Sequence, residues 1–153
     1  MFIRKDDLYM SREQNKLSAS SLEELQTTGA GYDILRYVSL PDLLGEEAPS
    51  LLYFMGKNLA RKMDIETMSD VAYIFEQLGW GRLEMIKEKR KELVFTLLSD
   101  AVVQRLKAPI ETEFRLEAVF LAESIQLIKE VECECTEDIN HKIHQIEFRV
   151  IYT

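Results

Sequence analysis

Residues 114–152 read FRLEAVFLAESIQLIKEVECECTEDINHKIHQIEFRVIY, and the change of hydrophobic period inside this stretch decides the fold class. Phe114, Leu116, Ala118, Val119, Phe120, Leu121, Ala122, Ile125 and Ile128 are apolar nearly all round a helix, as in a helix buried on most sides. The period then drops to two. Val131, Cys133 and Cys135 alternate with Glu130, Glu132 and Glu134, and Ile146, Phe148, Val150 and Tyr152 repeat the alternation in a last strand. A core helix followed by a hairpin is the result.

The same order occurs upstream. Leu83 to Lys87 and Leu93 to Leu98 flank the charged run Lys87 to Glu92, which predicts two antiparallel strands and a hairpin turn. Before it, Val71, Ala72, Phe75 and Leu78 stripe a helix from about Ser69 that ends at Gly79-Trp80-Gly81. Between the hairpins, Val102, Val103 and Leu106 form a short helix ended by Pro109. Leu51, Leu52, Met55, Leu59 and Met63 recur at helical spacing after Glu46, Glu47 and Pro49, with Arg61 and Lys62 at the carboxyl end. Ile34, Leu35 and Val38 stripe a first helix, Gly31 to Leu40, stopped by Pro41. Hairpins separated by helices predict an α+β domain over residues 31–153, with an antiparallel sheet of about four strands covered by helices on one face. Residues 1–30 read as a flexible arm with one local signal, a Ser21/Glu24 capping box that starts a short helix ending at Gly29.

Composition removes several function classes. The chain has 153 residues, 27 acidic against 19 basic, a net charge of −8, and is 46% hydrophobic and 9% aromatic. A chain of this size buries about two-thirds of its unfolded surface, so it builds a core without disulfide staples. The acidic balance argues against binding duplex nucleic acid or an anionic membrane surface. The densest apolar run, Leu51 to Met55, is far short of the roughly 18 residues of a spanning helix, no signal-peptide pattern opens the chain, and the two cysteines are not placed for an ordinary disulfide. The expectation is a cytoplasmic protein without a membrane span.

Gly45-Glu46-Glu47 before a helix carrying Gly56, Leu78-Gly79-Trp80-Gly81 before a hairpin, and Phe114-Arg115-Leu116-Glu117-Ala118 with Phe120-Leu121-Ala122-Glu123 resemble the YslB-like family of Gram-positive (Firmicutes) bacterial proteins over roughly residues 31–152. More distantly the chain is similar to the four-vinyl-reductase domain and the TRAPP vesicle-tethering subunits, whose shared fold is an antiparallel sheet packed on helices. The resemblance implies a pocket for a small apolar ligand or a helix-mediated homodimer. Four-vinyl-reductase domains often carry metal-spaced cysteines near the final hairpin. Here the later one is missing and His141 and His144 stand nearby, so the resemblance does not by itself imply a metal.

Cys133, Cys135, His141 and His144 are the only cluster of soft ligands in the sequence. With a turn over Asp138 to His141, Cys135 lies opposite His144, Glu137 opposite Lys142 and Cys133 opposite Ile146. That set brings two ligands together where structural zinc wants four, so the cysteines read as buried small residues. Acidic neighbours would also raise a thiol pKa, and neither nucleotide loops nor a recognisable catalytic constellation occurs. Arg115, Glu117 and Glu123 read as the exposed face of their helix, paired at helical spacing. Lys87, Lys89, Arg90 and Lys91 read as a solvated hairpin tip able to meet an acidic partner or an anionic lipid head group.

The leading expectation is a non-enzymatic, homodimeric domain without cofactor that binds an apolar small molecule or lipid, or a protein partner, with Met55, Leu59, Phe75, Trp80, Phe120 and Leu121 lining the ligand site. Gly56 and Ala60 make a small-residue ridge, either a dimer seam or internal packing. The alternatives are a pure interaction module built on an apolar patch of the first two helices, and, last, a metal-binding protein using Cys133, Cys135 and His144.

Overall fold

Pro41 does not stop the first helix. The computed structural model describes residues 29–153; the Ser21/Glu24 cap and the rest of 1–28 lie outside them. Helix α1 (Ala30–Ile34) leads into a π-helical turn, Leu35–Ser39, and continues as α2 (Leu40–Leu44) with Pro41 in its first turn. The wide turn has already displaced the regular backbone ladder, since the Leu40 N–H donates to the Leu35 carbonyl. Proline's missing N–H therefore breaks no regular bond, and its ring has room. Gly45, at φ 56°, ends the segment in a backbone region costly for other residues.

Helix α3 (Ala48–Lys62) buries Leu52, Gly56 and Ala60. Helix α4 (Met68–Gln77) starts with a reciprocal capping box between Thr67 and Asp70 and buries Val71, Ile74 and Phe75. The chain then forms strand β1 (Arg82–Glu88), strand β2 (Glu92–Leu98), helix α5 (Asp100–Lys107), helix α6 (Arg115–Lys129), strand β3 (Cys133–Asn140) and strand β4 (Gln145–Tyr152). The four strands form one open antiparallel sheet in the order β1-β2-β4-β3. This is the α+β architecture expected from the two hairpins.

Register aligns the apolar positions on one face: Leu93, Val150 and Cys135 share a row, as do Leu97, Ile146 and Ile139. Helix α6 lies across this face, with Leu116 through Ile125 all buried. On its far side α3 comes so close that a Cβ on Gly56 would sit 2.9 Å from the Leu116 carbonyl oxygen and 3.0 Å from Val119 Cβ.

Three local expectations change. Val131 is not in the strand and is 41% exposed, because Glu130 ends α6 in a left-handed conformation (φ 55°) and the strand starts only at Cys133. The last hairpin turns at 141–144, where the Asn140 side chain accepts from the N–H groups of Lys142 and Ile143. Cys135 consequently faces Val150, Glu137 faces Phe148 and Cys133 faces Tyr152, which separates Cys135 from His144. Finally, Glu117 and Glu123 are buried, not exposed, for reasons set by their partners.

Candidate functional site

Helix α1 buries no residue of its own. It is held instead by ions. Arg36, in the π-helical turn, donates through Nη1 and Nη2 to the two carboxylate oxygens of Glu117 at 2.7 and 2.6 Å, through Nε to Glu113 at 3.0 Å, and through Nη1 to the Tyr32 hydroxyl at 2.8 Å. Glu117 is fully buried and Arg36 nearly so. Burial opposes the charge on Arg36, and the facing Glu117 carboxylate more than restores it, so the guanidinium stays protonated well above its ordinary range. A second arginine repeats the device from α5: Arg105 donates to Asp33 at 3.0 Å and to the Trp80 carbonyl at 3.2 Å.

Beside this cluster a cleft of about 470 Å³ opens between the π-helical turn, α2, the start of α3 and residues 111–115. Its apolar wall comes from Leu40, Pro41, Leu44, Ala48 and Leu52, and Arg36, Tyr37, Glu111, Glu113 and Arg115 complete it. Tyr37 is 6% exposed, and its hydroxyl has no hydrogen-bond partner among the described residues. Burial, followed by the nearby Glu117 carboxylate, pushes the Tyr37 phenol up, so it remains a neutral donor.

A second cleft, about 520 Å³, lies between α3, α6 and β3. Tyr53, Phe54, Val119 and Ala122 share its walls with Lys57, Arg115, Glu123, Glu134, Cys133 and Cys135. Arg61 pairs with buried Glu123 at 2.9 Å, and Arg115 reaches Glu137 at 3.1 Å and the Cys135 carbonyl at 2.9 Å. The Cys133 thiol donates to the Ala122 carbonyl at 3.1 Å, and burial pushes it up to about 11, with Glu123 adding in the same direction. Burial raises Cys135 too. Only about one Cys133 in a thousand is then a thiolate at pH 8, against roughly a quarter for a free thiol. Alkylation of the folded protein by iodoacetamide at pH 8 is accordingly expected to be at least tenfold slower than in urea; equal rates would contradict the geometry.

Among the residues singled out from sequence, Phe75, Phe120 and Leu121 are fully buried and Trp80 is 2% exposed. Their rings meet edge-to-face, Phe75 to Trp80 at 5.1 Å and Trp80 to Phe120 at 5.2 Å, and fill the interior. Leu59 is half-buried and Met55 exposed. None of these six lines either cleft. Gly56 and Ala60 are buried within the chain, Gly56 against α6. Cys133 and Cys135 stand on the inner face of the sheet, and His144 sits in the last turn with φ 51°. Among the described residues no group of three or more His, Cys, Asp and Glu side chains is placed to hold a metal.

Three comparisons bear on this architecture. Residues 29–151 match the family described as a protein of unknown function, DUF2507. The chain is 35% identical over 133 residues to the uncharacterized protein YslB of Bacillus subtilis (strain 168), spanning 87% of this chain and 90% of that one. It is 23% identical over 125 residues to the uncharacterized protein MJ1642 of Methanocaldococcus jannaschii, spanning 78% and 76%. Among solved structures, a vinyl-4-reductase family protein from Methanocaldococcus jannaschii superposes with a TM-score of 0.63 at 18% identity, covering 99% of this chain and 98% of that one, a likeness of fold. With residues 29–151 matched to the family model, the chain belongs to the DUF2507 family.

Proposed function

We propose that this domain is non-enzymatic and holds a small apolar molecule with one hydrogen-bond acceptor in the cleft between α2, α3 and residues 111–115. The observation that carries the reading is an apolar wall, Leu40, Leu44, Ala48 and Leu52, beside a buried donor, Tyr37, without a partner among the described residues. The volume falls within the roughly 300–1,000 Å³ of small-molecule sites, and such sites pair apolar walls with a few placed polar groups. The cations on this cleft are already neutralised, Arg36 by Glu117 and Arg115 by Glu137, so an apolar guest strips water from no unpaired cation. The second cleft exposes Lys57 and Glu134 without an ion pair among the described residues, and is the poorer host. The raised thiols support a non-catalytic role for the cysteines, and two free cysteines suit a reducing cytoplasm.

Native mass spectrometry of gently purified protein, read against the denatured mass, tests the proposal. A surplus of a few hundred daltons is expected, and Ala48→Trp, which fills the cleft, is expected to lose at least nine-tenths of it. A bare chain mass for the unaltered protein, or cargo unchanged in Ala48→Trp, would sink the reading. A homodimer joined through α3 is the second reading, favoured by Leu51, Phe54 and Met55, which share one side of that helix and are 38%, 59% and 43% exposed. Twice the chain mass in the same spectra, lost on Phe54→Asp, is its signature.

A further inference from the structure

The tip of the β1–β2 hairpin carries Lys87, Lys89, Arg90 and Lys91, all exposed. None of the four has an ion-pair partner among the described residues, although most of the arginines there are paired. The acids in and beside the tip are ion-paired from elsewhere: Lys129 at the end of α6 lies 3.6 Å from Glu88, and Arg149 on β4, which also reaches Glu147 at 3.3 Å, lies 2.8 Å from Glu92. Glu84, further down β1, pairs with Arg82 at 3.1 Å. A protein of net charge −8 thus presents four cations and one acid within residues 87–91, a local surplus of three positive charges.

The acidic remainder does not cancel that surplus at the tip. Of the exposed acids without an ion-pair partner among the described residues at this end of the sheet, Glu130 follows Lys129 at the end of α6, and Glu132 and Glu134 lie before and in β3, two strands beyond β2 in the sheet order. At about 4.8 Å per strand Glu132 and Glu134 are about 10 Å or more from β2, at or beyond the Debye length of about 8 Å at physiological salt. Apolar side chains accompany the cations. Ile86 is 49% exposed where the register of β1 slips between Met85 and Lys87, and Ile151, paired with Glu92 and Glu134, is 44% exposed.

We propose that the β1–β2 hairpin tip docks this domain on an anionic lipid surface, with Lys87, Lys89, Arg90 and Lys91 at the phosphates and Ile86 and Ile151 entering the head-group layer. The turn between β1 and β2 gathers all four exposed cations, a positive patch complementary in charge to an anionic bilayer surface. Exposed isoleucines beside them gain from the acyl boundary, and the hairpin-tip sequence 86–92 contains no aromatic residue for the stacking by which single-stranded nucleic acid is held. The proposal stands on different residues from the ligand cleft, so either can fail alone.

Co-sedimentation of the full chain with vesicles tests it. Binding is expected to mixed phosphatidylglycerol–phosphatidylcholine vesicles, not to pure phosphatidylcholine, and to be abolished in molar salt. Each cation near an anionic surface contributes roughly fivefold, so Lys89→Glu/Arg90→Glu/Lys91→Glu is expected to bind at least about a hundredfold more weakly. Lys62→Glu/Lys107→Glu/Lys142→Glu makes the same change of net charge at exposed positions elsewhere and is expected to bind within about threefold of the unaltered protein. Thermal melting by circular dichroism checks that both variants are folded. No sedimentation with anionic vesicles, equal binding to neutral ones, or equal losses in both triple variants would overturn the proposal. Retention of polyglutamate by the tip, with no vesicle binding, would overturn it in favour of an acidic protein partner.

Discussion

Glu117→Ala is expected to lower the unfolding free energy by roughly 3–5 kcal/mol, the range for leaving one member of a buried ion pair behind. Arg36 would keep its charge at 3% side-chain exposure and lose both 2.6–2.7 Å bonds to the carboxylate, with only Glu113 and the Tyr32 hydroxyl to compensate. For a chain of this length each kilocalorie moves the melting temperature by about 2–4 °C, so a drop on the order of 10 °C follows. The double variant Arg36→Met/Glu117→Leu is expected to recover most of it, because replacing both ions by apolar groups of similar size removes the stranded charge. Thermal or urea unfolding of Arg36→Met, Glu117→Leu and the double variant measures the coupling. A single variant within 1 kcal/mol of the unaltered protein would show that the pair does not pin the first helical segment.

Gly56→Leu is expected to cost about 3 kcal/mol or more, at the upper end of overpacking effects. Leucine gains about 1 kcal/mol in helix propensity, but its Cβ meets the Leu116 carbonyl at 2.9 Å and Val119 Cβ at 3.0 Å, so α3 must move away from α6. That movement also loosens the walls of both clefts, which take residues from α3 and from the start of α6. The urea midpoint should fall by the same amount at low and high protein concentration. A fall that disappears on dilution would instead place Gly56 in a seam between two copies.

The elements legible in the sequence were those whose burial is written in periodicity. The continuous burial of α6 follows from apolar residues nearly all round it, and the last hairpin from alternation; α3 is legible as a helix, but of its apolar stripe Leu51 and Met55 are exposed and Leu52 is buried with Gly56 and Ala60. The first helix was legible only to Pro41, because a π-helical turn depends on bonds five residues apart that leave no mark in hydrophobic pattern. The register of the last hairpin depended on Asn140 closing the turn with its own side chain, and moving that turn by three residues changes every cross-strand partner.

The candidate site was less legible than the fold. Arg36 and Glu117 are 81 residues apart, and a charged residue in an apolar helix reads as its exposed face when its partner is distant in sequence. Phe75, Trp80, Phe120 and Leu121 were chosen for size and apolarity, the same properties that fill an interior. Leu40, Leu44 and Ala48 line the cleft because α2 continues past Pro41. A signal that could have found them was Leu40, Leu43 and Leu44 repeating at helical spacing beyond the proline.

The π-helical turn fixes an angular phase. A π-helical turn accommodates one residue more than an α-helical turn, and each residue of an ordinary helix advances by about 100° around the axis. Shortening this segment by one residue would leave its composition and hydrophobicity almost unchanged while rotating Leu40 and Leu44 about 100° relative to Arg36. The ion pair and the cleft wall could no longer be satisfied together. Length between Arg36 and Leu40 couples the anchor to the cavity, so an insertion or deletion there breaks both, whereas a same-length substitution at exposed Val38 or Ser39 leaves the phase intact.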